Sequence, residues 1–388
     1  MIPQASPLIA VQGIAPSVFL EGASHMLDFL REEGGVNAVF ISTHGGMGYS
    51  SEDTLKDWAD HGVRLELPPG RQSPTSWIRG NPSLYRNTFL GQVRDPAQHL
   101  WADRDVLEEL LPEARKRGMK VYARHLENFH AAQARKLPGL AQVLSVDIYG
   151  RRAERPCWNH PGYRAWWLAM TEEWFSQYAI DGLILGPERD APFGPLLYNA
   201  DAPVCFCEHC RAKAHREGIR VDRALEGFRQ MHELATTIQA TGARPREGAF
   251  MAFLRLMMKH PEVFQWEKLV NDSKWSLHAE IRGLAHILRP GVEVGWMVPV
   301  YPLMHDVFSR ALAYDYAEMA AFSDFLKPNV YQDVNAARLH DWIGHNPPLY
   351  VDLAREQLHD LIYALFGYSG GGNPDHAASA TSPSAPIT

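Results

Sequence analysis

Cysteine is scarce in this chain: four among 388 residues, three of them packed within six positions. That argues against a disulfide framework, and a core of this size needs no staples. Long uncharged apolar runs are missing too, so nothing approaches the roughly 20 residues of a membrane span. The N-terminal stretch MIPQASPLIAVQGIAPSVFLEG lacks the basic opening and apolar centre of a signal peptide. A reducing cytoplasm is therefore the expected compartment. Positive charge is not in excess. The formal net charge of -7 argues against nucleic acid or an anionic membrane as the main partner. No Gly-x-Gly-x-x-Gly turn follows an apolar run, which disfavours a dinucleotide-binding sheet.

Aromatic residues, in contrast, are plentiful, with 11 Trp, 14 Tyr and 16 Phe. Such rings pack in the core or line a cleft against the apolar faces of sugars. The chain then alternates helical and strand-like segments. Ser24 to Glu33 has Met26, Leu27, Phe29 and Leu30 on one helical face, and Gly34-Gly35 stop it. The apolar run 36–42 follows, as expected of a strand buried on both sides. After a glycine-rich loop and a long excursion at about 52–102, the stripe Val106, Leu107, Leu110, Leu111 and Ala114 marks another helix. Met119 to Ala123 is the next strand. Tyr163 to Tyr178 is a helix rich in tryptophan, and it feeds the strand Leu183-Ile184-Leu185. Helices at about 264–288, 304–321, 333–343 and 355–366 alternate with strands at 292–298, 325–331 and 348–352. Residues 144–149 form a further strand or a hairpin in a loop.

Such alternation predicts a parallel α/β architecture: a (β/α)8-type TIM barrel, or one incomplete at its C-terminal end. An open doubly wound sheet is the alternative. The barrel domain is expected to cover 1–366. Residues 367–388, small and polar without apolar period, are expected to be a disordered tail. So few strands would leave an edge open, and a chain lacking its last barrel units would explain that.

Reactive groups in such barrels sit at the C-terminal ends of strands. Glu188 stands there, after Gly186-Pro187 break an apolar strand. Glycosidic cleavage needs two carboxyl groups, and a Glu at an apolar strand mouth can have a raised pKa and act as the acid. Candidates for the second carboxylate are Asp352, at the end of Leu349-Tyr350-Val351, and Glu127, at the end of the second strand. Other candidate cleft residues are His44, Arg124, His125, Arg189 and Tyr331. Trp296 is a sugar platform or a core residue. A bracing role at the rim is the competing assignment for each of these residues.

Cys205-Phe206-Cys207-Glu208-His209-Cys210 places three thiols where they can converge on one soft cation. Tetrahedral zinc needs four ligands, and Cys157 or His209 could supply the last. A zinc ion here would be structural, pinning the loop after Glu188.

These residues carry a resemblance. Gly35-Val36-Asn37-Ala38-Val39, Arg117-Gly118-Met119-Lys120-Val121-Tyr122-Ala123 and Asp181-Gly182 before a strand-end Glu resemble glycosyl hydrolases with a TIM-barrel catalytic domain. The run Cys205 to Ala212 is similar to the cysteine run that binds structural zinc in glycoside hydrolase family 42 β-galactosidases. That resemblance implies Glu188 as acid/base and Cys157, Cys205, Cys207 and Cys210 as zinc ligands. Pro187 departs from the family's Asn before the acid/base, and no later strand-end Glu matches its nucleophile.

The leading expectation is therefore a glycoside hydrolase acting on a carbohydrate, with a structural Zn and no organic cofactor. A carbohydrate-binding or structural barrel that has lost its second carboxylate is the alternative. A metal-dependent hydrolase using His44, His125 and Glu127 is disfavoured, since no His-x-His strand end occurs. A homo-oligomer is left open.

Overall fold

The computed structural model describes residues 7–44, 76–91, 94, 101–127, 137–187, 191–299, 307–313, 315–329 and 332–365. Eight strands occur in these segments: β1 (Ala10–Gly13), β2 (Ala38–Ser42), β3 (Lys120–Glu127), β4 (Leu144–Val146), β5 (Arg152–Pro156), β6 (Gly182–Pro187), β7 (Glu293–Pro299) and β8 (Phe325–Asn329). Six of them form one parallel sheet in the order β1-β2-β3-β6-β7-β8. β4 and β5 pair antiparallel, so the segment at 144–149 is a hairpin arm. No described helix is long and apolar enough to cross a membrane.

The sheet is curled. Four strand steps separate β2 from β8, which would hold them about 19 Å apart if the sheet were flat. Yet the Phe40 ring stacks on that of Phe325, with centroids 6.1 Å apart and planes at 12°. Around this stack Ala38, Tyr122, Ile184 and Met297 fill the concave side. Two glycines make the curl possible. A Cβ on Gly295 would lie 2.1 Å from the Phe325 ring, and one on Gly182 would lie 2.0 Å from the Glu293 carbonyl oxygen. The convex side packs on helices that link successive strands, in one large core. The architecture is a half-barrel of the TIM type, with β1 and β8 as edges among the described residues.

The strands are anchored at their starts by a repeated device. Asn37, Asp181 and Asp324 each stand one position before a strand. Asn37 Oδ1 accepts from Ile9 N–H at 2.8 Å, Asp181 Oδ2 from Val121 N–H at 2.8 Å, and Asp324 Oδ2 from Val294 N–H at 2.8 Å. Each side chain thus ties its own strand to the beginning of the preceding neighbour in the sheet.

Three expectations need correction. β1 belongs to the sheet, although its short Ala-Val-Gln-Gly run carries little strand signal. The expected strand at 348–352 is instead a 3-10 turn, Pro348–Tyr350. Pro347 and Pro348 have no N–H to give to a ladder, and a proline suits the first position of a helical turn. The run is still buried, with Leu349 at 1% and Tyr350 at 3% exposure, but against helices rather than strands. The helix expected at 304–321 is described as two, Val307–Ala313 and Tyr316–Ala320, the second capped by Asp315. The expected disordered tail lies outside the described residues, as does much of the excursion at 52–102.

Candidate metal centre and barrel mouth

The cysteine cluster forms where three segments meet. Phe206 N–H donates to Val146 O in β4 at 2.6 Å, and Cys157 N–H to Val143 O, the residue before β4, at 2.8 Å, which holds both cysteine segments against the start of the hairpin. Phe206 stacks on Trp266 at 4.3 Å, fixing the depth of the segment. Cys207 precedes the helix Glu208–Arg216, and Cys210 lies in its first turn. As a result the four sulfurs lie within 4.8 Å of one another, with Cys157 Sγ 3.4 Å from Cys207 Sγ and 3.5 Å from Cys210 Sγ.

This geometry fits a tetrahedral cation. Bonds of about 2.3 Å would space four sulfurs roughly 3.8 Å apart. All four cysteines are free thiols. The thiols also act on one another's ionisation. Cys157 is raised well above the ordinary thiol range by hydrogen bonding to the other three sulfurs, with burial adding. At Cys205 burial opposes ionisation, but hydrogen bonds from the three other thiols and from Val146 N–H outweigh it and lower its pKa. Four buried or half-buried thiols this close together could hold a soft cation. His209 is not part of it. Its ring packs edge-on to His160 at 4.7 Å, and Cys157 takes the fourth position.

At the barrel mouth, β3 and β6 run in parallel register up to the pair Glu127 and Pro187. Glu188 is the next residue in the chain. Glu188, Arg189 and Tyr331 lie outside the described residues. Arg124 shares the concave face with Tyr122 two residues earlier. It is buried and donates from Nη1 to Ser42 Oγ at 2.8 Å.

The remaining candidates fall elsewhere. His44 and His125 sit behind the sheet, against the helix Pro161–Gln177, and not in a cleft. The His125 ring packs on Trp167 at 4.7 Å and lies 5.8 Å from His44, whose own ring meets Trp174 at 5.3 Å. Burial, with the Arg124 charge second, lowers His125 to about 3. Burial also holds His44 well below the histidine range. Trp296 faces the same convex side, 3.6 Å from the His278 ring, and is a core residue, not a platform. Asp352 is exposed and accepts from Ala249 N–H at the start of the helix Ala249–Lys259.

Two polar groups were missed by sequence reasoning. Glu173 is fully buried and accepts from Tyr85 O–H at 2.7 Å and from the N–H of Asn81, latching part of the long excursion onto the helix Pro161–Gln177. It falls seven residues after Trp166, on the aromatic face, and an acid there was the available signal. Glu267, also fully buried, accepts from Phe193 N–H at 2.9 Å and from Ser309 O–H at 2.6 Å. It joins the segments that follow β6 and β7.

No family model matches the chain, and no protein with a curated description matches it. Several solved structures are similar at low identity. A cold-adapted beta-galactosidase from Rahnella sp. R3 is 12% identical over 94% of this chain and 44% of its own, with a TM-score of 0.43. A catalytic mutant of Gan42B, a GH42 beta-galactosidase from G. stearothermophilus, is 13% identical over 93% of this chain and 44% of its own, with a TM-score of 0.41. Alpha-L-fucosidase isoenzyme 2 from Paenibacillus thiaminolyticus is 12% identical over 75% and 32%, with a TM-score of 0.37. The chain thus spans less than half the length of these proteins.

Proposed function

We propose that this chain hydrolyses glycosidic bonds at the C-terminal mouth of its curled sheet, with Glu188 as proton donor and Glu127 as the second carboxylate. The supporting observation is the pairing of Glu127 with Pro187, the residue before Glu188. Neighbouring strands run about 4.8 Å apart. A retaining pair holds its carboxyls roughly 5–5.5 Å apart, a separation of the order of one strand step.

In this chemistry one carboxylic acid protonates the leaving oxygen, while the other carboxylate attacks the anomeric carbon or activates water. The two must differ in pKa. Arg124, three residues before Glu127 in β3, is a buried positive charge held by Ser42. A cation nearer one carboxyl keeps that one ionised and leaves the other to carry the proton. A zinc ion held by Cys157, Cys205, Cys207 and Cys210 would supply a rigid cross-link beneath the segment that follows Glu188.

The test is turnover on a panel of aryl glycosides. Glu188→Gln and Glu127→Gln should each lower turnover on a responsive glycoside by about 100- to 10,000-fold with an unchanged circular dichroism spectrum. Wild-type turnover in Glu188→Gln would reject the assignment.

A further inference from the structure

The cysteine cluster has an outer partner that bonds to sulfur on both of its sides. Asn159 lies two residues after Cys157, and its backbone N–H donates to Cys157 Sγ at 3.3 Å. Its side-chain Nδ2 reaches across to Cys210 Sγ, also at 3.3 Å. Val146 N–H donates to Cys205 Sγ at 3.3 Å. Of these three donors, the amide of Asn159 is the one that a substitution can remove.

Four thiolates around a divalent cation carry a net charge of minus two, in a place where Cys157, Cys205 and Cys210 are each below 5% exposed. N–H donors aimed at sulfur disperse that charge and fix the direction of the sulfur lone pairs. Backbone donors serve one sulfur each. The Asn159 side chain joins the Cys157 turn to the helix that carries Cys210.

We propose that Asn159 is the positioning residue of the metal centre, setting its affinity and ligand geometry through the hydrogen bond to Cys210. This rests on the metal-binding assignment of the four cysteines and not on the glycosidase assignment.

The experiment uses the full chain, stripped of metal under reducing conditions and titrated with zinc against a chromophoric chelator, then with cobalt(II). Wild type should take up one ion and give a thiolate-to-cobalt charge-transfer band. Asn159→Ala should bind zinc about 10- to 100-fold more weakly. Its cobalt d–d bands should shift. Asn159→Asp, equal in size but unable to donate, should weaken binding at least as much. A purely architectural residue would instead lower the stability of the metal-free protein and leave affinity and cobalt spectrum alone. That result in both variants overturns the role of Asn159. No uptake by wild type overturns the metal centre itself and the role with it.

Discussion

The backbone N–H of Val294 donates to Asp324 Oδ2 at 2.8 Å, joining the start of β7 to the residue that opens β8. The same carboxylate receives Arg282 Nη2 at 2.7 Å and His286 Nε2 at 2.9 Å. Asp324→Ala should therefore leave the Val294 N–H without its acceptor and release the Arg282 and His286 side chains. The expected loss is about 2 kcal/mol, most of it from the stranded backbone donor. Asp324→Asn keeps an oxygen for Val294 and should lose less. Urea unfolding of the two variants checks this; equal stability of Asp324→Ala and wild type would remove the strand-start device from the account of the fold.

Buried histidines make stability depend on pH. His125 is held down to about 3, first by burial and then by the Arg124 charge, against an ordinary value of 6.5. His44 and His278 are shifted the same way, chiefly by burial. In the unfolded chain these rings gain protons as pH falls below 6.5; in the folded chain they refuse them. Stability is thus intact above pH 6.5 and falls as pH drops toward 3, by up to about 1.4 kcal/mol per pH unit for each such ring. Replacing His125 with Gln should flatten the pH dependence of the unfolding midpoint between pH 6.5 and 4. An unchanged slope would mean that His125 is not neutral in the fold.

Much of the architecture was legible because periodicity reports burial. Helix 262–288 and strands β2, β6 and β7 follow apolar patterns that only one element satisfies. The convergence of the cysteines was legible because thiols are rare and three stand within six residues. The placing of His125 among cleft residues has a simple cause. Consecutive residues of a strand alternate between concave and convex faces, and sequence does not say which parity faces inward. A one-residue difference in parity separates Arg124 on the concave side from His125 behind the sheet. The run at 348–352 misled because strand and buried turn share apolarity, and the prolines beside it carried the distinguishing signal.

The metal centre should govern thermal stability. Zinc at about a thousand times its dissociation constant would add about 4 kcal/mol to the folded state by linkage. Calorimetry of the purified chain should show a higher midpoint with zinc than after chelation. Cys205→Ser removes a sulfur that is 4% exposed and should abolish the response to zinc. A midpoint indifferent to zinc in the wild type would contradict a structural metal.

Asp352 separates the two candidates for a second carboxylate. Its Oδ2 accepts from Ala249 N–H, the first N–H of a helix whose own N-cap, Gly248, has no side chain to offer. A carboxylate at a helix N-terminus is stabilised by both the orphan donor and the helix dipole. Asp352→Ala should then cost about 1 kcal/mol, as loss of a cap does. Asp352→Asn retains an acceptor and should cost a few tenths of that. Neither change should alter turnover on a glycoside that Glu127→Gln leaves uncleaved. Collapse of turnover in Asp352→Asn, with stability unchanged, would move the second carboxylate from β3 to this helix cap and undo the pairing of Glu127 with Glu188.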